Sequence, residues 1–222
     1  MRTSLPTRLL GFAAVALTVV ALWTGYRIAP PDRLMGDAQR IMYVHVPAAW
    51  SGFLAFFIVF LASIGYLVRK DRRLDHLAHA AAEVGVLFMA LGILLGSIWG
   101  KPTWGVWWTW DPRLTSSAVL LAIYLGYLAL RAFTDDADRR ARWSAAVGII
   151  GFLDVPIVYL SVLWWRTLHQ PPSSPETIAR PMLTTLWLGV GAFTLLLAWF
   201  VLVRYRLSRA EGELEMLEVS HA

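Results

Sequence analysis

The 222 residues suffice for one domain on length alone. Yet 58% are apolar and only 16% are charged, in long unbroken runs that a water-soluble domain does not use. A net charge of +5 would suit a nucleic-acid surface in a soluble protein, but here the basic residues sit at the ends of the apolar runs, where they act as an orientation signal. The absence of cysteine excludes disulfides, thiolate metal sites and a Cys-x-x-Cys-His attachment motif.

About 20 apolar residues rising roughly 1.5 Å each cross a hydrocarbon core of about 30 Å. Six runs meet that length: residues 9–26, 50–68, 81–99, 115–133, 144–164 and 183–203. The alternating polarity of a β-barrel strand is missing. The sequence therefore predicts an all-α integral membrane protein, a single six-helix domain over residues 1–222. The first run follows Arg2 and Arg8 like a signal peptide, but it is longer than an h-region of about 7–15 residues and no small-x-small site follows. It is expected to be retained as a helix.

With six spans, the termini and two loops share one side and three loops share the other. The first set holds thirteen of the basic residues, including Arg69, Lys70, Arg72 and Arg73 in one loop and Arg139, Arg140 and Arg142 in another. The second holds seven: Arg27, Arg33, Arg40, Lys101, Arg113, Arg166 and Arg180. Positive charge is retained inside, so both termini and the tail 204–222 are expected in the cytoplasm. Loops 27–49, 99–115 and 165–182 are then external.

That orientation sorts the histidines. His76 and His79 fall on the inner side, and His221 in the tail. His45, at the outer end of the second helix, and His169, after the fifth, fall on the outer side. Between their loops lies Trp99–Thr115, with five of the chain's twelve tryptophans in twelve residues: Trp99, Trp104, Trp107, Trp108 and Trp110. Tryptophans near helix ends ordinarily form an interfacial belt, and that reading suits Trp23, Trp50, Trp143, Trp164, Trp165, Trp187 and Trp199. The 99–110 cluster is too dense for a simple belt.

Indoles beside two histidines suit a flat apolar ligand with a metal centre, namely haem b. Aromatic contacts each add roughly 0.5–1.5 kcal/mol beyond area burial. Neutral imidazole ligates haem iron, and one on each face gives six-coordination. Gly100 and Gly105 would let backbone approach the ring or a neighbouring helix. Lys101, Arg113, Arg166 and Arg180 lie on the side where propionates need cations. Asp111 caps the fourth helix or holds Arg113; the sequence leaves both open.

Two acids fall inside spans, where a carboxylate costs about 2.5–3.5 kcal/mol at mid-bilayer. Asp154 precedes Pro156, which frees a carbonyl and bends the helix, and Glu83 lies near the inner end of the third span. Packing or partner contact suits them better than proton relay, since no second carboxylate stands at helical spacing.

The run Trp104-Gly105-Val106-Trp107-Trp108-Thr109-Trp110-Asp111 resembles the WWD signature of the haem-handling proteins of cytochrome c maturation. Trp99-Gly100-Lys101-Pro102, Met42-Tyr43-Val44-His45-Val46-Pro47 and Trp164-Trp165-Arg166-Thr167-Leu168-His169-Gln170 are similar to the haem exporter protein C (CcmC) branch, and the resemblance covers the whole chain. The larger CcmF-type haem lyases and CcsA-type proteins carry more spans and an acidic residue after Asp-Pro, where this chain has Arg113. The resemblance implies a bacterial inner-membrane protein that is not itself an enzyme. Such a protein holds haem at the periplasmic face and presents it to the haem chaperone CcmE, with CcmD and the ABC-type subunits CcmA and CcmB as partners. By position, His45 and His169 inherit the axial-ligand role and 99–115 the platform role. Two other readings compete. A haem-carrying permease should line several spans with polar residues, and this chain has almost none between helix ends. A haem-b electron-transfer subunit usually places histidines within its spans.

Overall fold

The computed structural model describes residues 4–170, 174 and 176–221, with side chains up to residue 214. It is 83% helical with no strand among the described residues. The helices are α1 (Leu5–Arg27), α2 (Met42–Arg69), α3 (Arg72–Trp104), α4 (Pro112–Ala132), α5 (Ala137–Phe152), α6 (Asp154–Trp164) and α7 (Arg180–His221), with a 3-10 turn at Asp37–Ile41 before α2. α5 and α6 together make one crossing, so six segments are long and apolar enough to span a membrane.

Polar punctuation sets the helix starts. Asp71, Asp111 and Asp136 each stand just before a helix and accept a backbone N–H with the side chain, from Arg73, Leu114 and Arg139 respectively. Each cap satisfies an amide that the helix itself cannot. α2 ends at Lys70 in the left-handed conformation (φ 56°), and α3 ends at Gly105 (φ 80°).

The helices outrun the apolar runs in three places. α2 begins at Met42, so His45 is in its first turn. α3 continues through Trp99, Lys101 and Trp104, carries Pro102 inside its last turn, and ends only at Gly105; the loop proper is only residues 105–111. The tail from residue 204 continues α7 and packs on the start of α3. There His76 Nδ1 lies 3.0 Å from Ser208 Oγ, and Arg204 donates to Glu83 Oε1 at 3.0 Å. Glu83 thus faces α7 within the protein. The helix is interrupted at Leu153, three residues before the proline expected to bend it, and the Asp154 Oδ2 beside it is buried without a hydrogen-bond partner.

The centre is a close pairing of α2 and α3. A side chain at Gly52 would meet the Met89 backbone at 3.2 Å, and one at Gly92 the Ala49 backbone at 3.4 Å. Small residues let the two backbones approach where lipid supplies no hydrophobic drive between helices. α4 closes this layer with Tyr124 stacked on Phe56 (centroids 3.6 Å, interplanar angle 9°), both fully buried. At the inner end, Arg131 of α4 donates to both oxygens of Asp75 of α3, at 2.6 and 3.0 Å, with each side chain 7% exposed. Sequence reading counted Arg131 only among the thirteen inner-side basic residues and gave Asp75 no role. The pair lies beside a polar cleft of about 940 Å³. About 24 residues of α3, or roughly 36 Å, separate Asp75 from Trp99.

Candidate haem site

At the other end of the same helices, a cleft of about 220 Å³ opens between α2, α3, the start of α4 and the segment after α6. His45 stands on its α2 wall and His169 on the far side, with ring centroids 6.4 Å apart and an interplanar angle of 38°. Trp99 meets His45 edge-on at 5.8 Å, and Trp104 meets His169 at 6.4 Å. Gly100, Trp108 and Arg113 complete the set of predicted residues that line the cleft.

The tautomers follow from the hydrogen bonds. His45 Nδ1 lies 2.8 Å from Gly92 O, and His169 Nδ1 lies 2.8 Å from Gln170 O. A carbonyl oxygen only accepts, so each Nδ1 carries the hydrogen and donates it. Each Nε2 is left with its lone pair, the form in which imidazole binds a metal. Burial, and after it the Arg113 charge, pushes the His169 pKa down to about 4, so this imidazole is neutral at neutral pH.

The spacing suits one metal between the rings. A metal–imidazole bond is about 2 Å, and a five-membered ring with bonds near 1.33 Å puts its nitrogen about 1.1 Å from the centroid. Two imidazoles on opposite sides of one metal therefore have centroids about 6.3 Å apart, against the 6.4 Å found.

The remaining predicted residues lie elsewhere. Trp107 and Trp110 are outside the cleft, 57% and 79% exposed. Lys101 Nζ donates to Gly105 O at 2.9 Å and so closes the end of its own helix. Arg166 and Arg180 are exposed and do not line the cleft. Asp111 also does not line it: its Oδ1 accepts Leu114 N–H at 2.9 Å, and it makes no ion pair with Arg113, which settles that alternative for the cap. Arg113 reaches the carbonyls of Val158 and Tyr159 only at 3.5 and 3.4 Å, so its guanidinium is weakly committed.

The sequence also carried a signal that the prediction caught only at Gly100. Gly92, Gly96 and Gly100 recur every fourth residue along α3, and all three line the cleft. A Cβ at Gly96 would sit 2.9 Å from His45 Cε1. Gly96→Ala is therefore expected to turn the His45 ring off the Gly92 carbonyl, lowering haem affinity roughly 10- to 100-fold, the usual cost of disturbing an outer-shell contact. Haem titration of the purified variant checks this, and an unchanged affinity would mean the ring has room to shift.

The chain matches the family model described as Heme exporter protein C over residues 2–220. It is 38% identical to the Heme exporter protein C of Bradyrhizobium diazoefficiens, over 97% of this chain and 88% of that one. With the protein of the same name from Escherichia coli K12 the identity is 39%, over 87% and 79%. The putative cytochrome c biosynthesis ccmC-like mitochondrial protein of Marchantia polymorpha is 37% identical, over 86% and 82%. A family model spanning nearly the whole chain and relatives of this closeness settle its affiliation: this chain belongs to the Heme exporter protein C family.

Proposed function

We propose that this protein binds haem b as cargo at the periplasmic face of the bacterial inner membrane and delivers it to the haem chaperone CcmE for cytochrome c maturation. It works in one assembly with CcmD and the ABC-type subunits CcmA and CcmB. The observation that carries the reading is the pair of imidazoles lining one cleft, with ring centroids 6.4 Å apart, each with Nδ1 on a backbone carbonyl and Nε2 left with its lone pair. Excess basic residues on the side of the termini support the periplasmic placement of the cleft.

His45 and His169 would hold the iron. Trp99, Trp104 and Trp108 would border the porphyrin, and the weakly held Arg113 guanidinium would pair with a propionate. The cleft is smaller than the roughly 300–1,000 Å³ of an ordinary small-molecule pocket, which favours leaving part of the macrocycle reachable by an acceptor. The role is binding and presentation rather than turnover. A route for haem through the bundle finds no support. The buried Phe56, Leu120, Tyr124 and Tyr127 fill the bundle between this cleft and the polar cleft at the inner end.

Two measurements test the proposal. Purified protein should show a six-coordinate low-spin spectrum that stays constant from about pH 8 to about pH 5. The His169 pKa is lowered, so the neutral ring is present above the usual 6.5 and is lost only as the pH falls through about 4. Titration of the spectrum near pH 6.5 would contradict this. Co-expression with the chaperone should then yield covalent haem on it, and replacing Trp104 and Trp108 with Ala should sharply reduce that product. Undiminished transfer would end the platform role.

A further inference from the structure

The segment that carries His169 has few hydrogen bonds to hold it in place. α6 ends at Trp164, Trp165 is extended, and residues 165–170 are neither helix nor strand. The His169 Nδ1 bond to Gln170 O lies within this segment and cannot anchor it. Among the described residues, the hydrogen bonds from 166–170 to the rest of the protein end on one atom, Asp111 Oδ2. It accepts the Leu168 N–H at 2.9 Å and the Thr167 hydroxyl. Thr167 Oγ1 in turn accepts the His169 N–H at 3.1 Å. The other oxygen, Oδ1, accepts Leu114 N–H at the start of α4.

We infer that Asp111 is the positioning residue of the second iron ligand: a carboxylate clasp that fastens the His169 segment to the start of α4 and so sets the gap between the two imidazoles. The acid closing the tryptophan motif would then serve the site without touching haem. Only a group that accepts at both oxygens suits this place, because a backbone N–H and a hydroxyl meet one oxygen while a backbone N–H meets the other. Charge-assisted bonds of this type are about twice as strong as neutral ones. This inference rests on the reading of His169 as a ligand, and the experiment separates the two.

Asp111→Asn is the informative variant. Its remaining oxygen can keep the Leu114 cap, but its NH2 then faces the Leu168 N–H, donor against donor. Thr167→Val removes the hydroxyl at nearly the same volume, and Thr167→Ser restores it. In haem-free protein, hydrogen exchange followed by mass spectrometry should show faster exchange over 165–170 in Asp111→Asn and Thr167→Val, and wild-type exchange in Thr167→Ser. In haem-loaded protein, the first two should lose low-spin character that added imidazole restores, with haem affinity lowered about 10- to 100-fold, while Thr167→Ser matches the wild type.

Unchanged exchange in Asp111→Asn would overturn the clasp. Faster exchange with a wild-type spectrum would overturn its positioning role, leaving Asp111 as a helix cap. His169→Gly reads the ligand assignment separately: a wild-type spectrum there would sink that assignment, while the exchange data would still judge the clasp.

Discussion

Replacing His45 or His169 with Gly should convert the haem from six-coordinate low-spin to five-coordinate high-spin and lower its affinity by more than the roughly 100-fold upper range of outer-shell changes. Replacing both should abolish haem binding. The two single variants should differ in one respect. His45 rises from the first turn of α2 and is held against Gly92 O, so its loss leaves a walled space that free imidazole can enter and occupy. His169 sits on an irregular segment whose backbone a glycine would loosen beside the clasp, so imidazole should rescue His169→Gly less completely. Absorption and magnetic circular dichroism of the purified variants, with and without imidazole, decide this. Low-spin haem at wild-type content in both single variants would remove both histidines from the iron.

Arg131→Ala should cost about 3–5 kcal/mol, because it strands the Asp75 carboxylate where both side chains are 7% exposed. At about 2–4 °C per kcal/mol for a chain of this size, thermal unfolding in detergent should fall by roughly 6–20 °C. The haem spectrum of the surviving folded protein should be unchanged, since the pair sits roughly 36 Å along α3 from Trp99. Asp75→Ala should match it. The double replacement Asp75→Leu with Arg131→Met should recover most of the loss, because apolar groups of similar size remove the desolvation cost along with the attraction. Equal instability of the double variant and the singles would mean the polar cleft beside the pair needs charge for its own sake.

The helix count was legible because each crossing must carry about 20 apolar residues whatever its neighbours are. The Leu153 break was legible for a similar reason: Pro156, three residues on, has no N–H to give the Phe152 carbonyl. Within the tryptophan stretch the outcome divided. Trp99, Trp104 and Trp108 line the cleft, while Trp107 and Trp110 turn outward. Composition alone cannot make that division, since it depends on where α3 stops, and α3 runs to Trp104 before Gly105 turns the chain. The Gly92–Gly96–Gly100 row was visible as spacing, but its use required knowing that α2 lies against it with His45 pointing there.

By itself, the sequence determined the all-helical class, the six crossings and the placing of His45, His169 and the tryptophan stretch at one end of the bundle. Hydropathy and crossing parity are additive along the chain and need no partner to be read. Only the tertiary structure decided that the two imidazoles stand 6.4 Å apart with Nε2 available, that Arg131 and Asp75 meet in the interior, and that Asp111 serves the segment carrying His169. These joins link residues 124, 56 and 57 positions apart in the chain. A contact over such separations is set by which helix faces pack together, and no local pattern in the sequence records that choice.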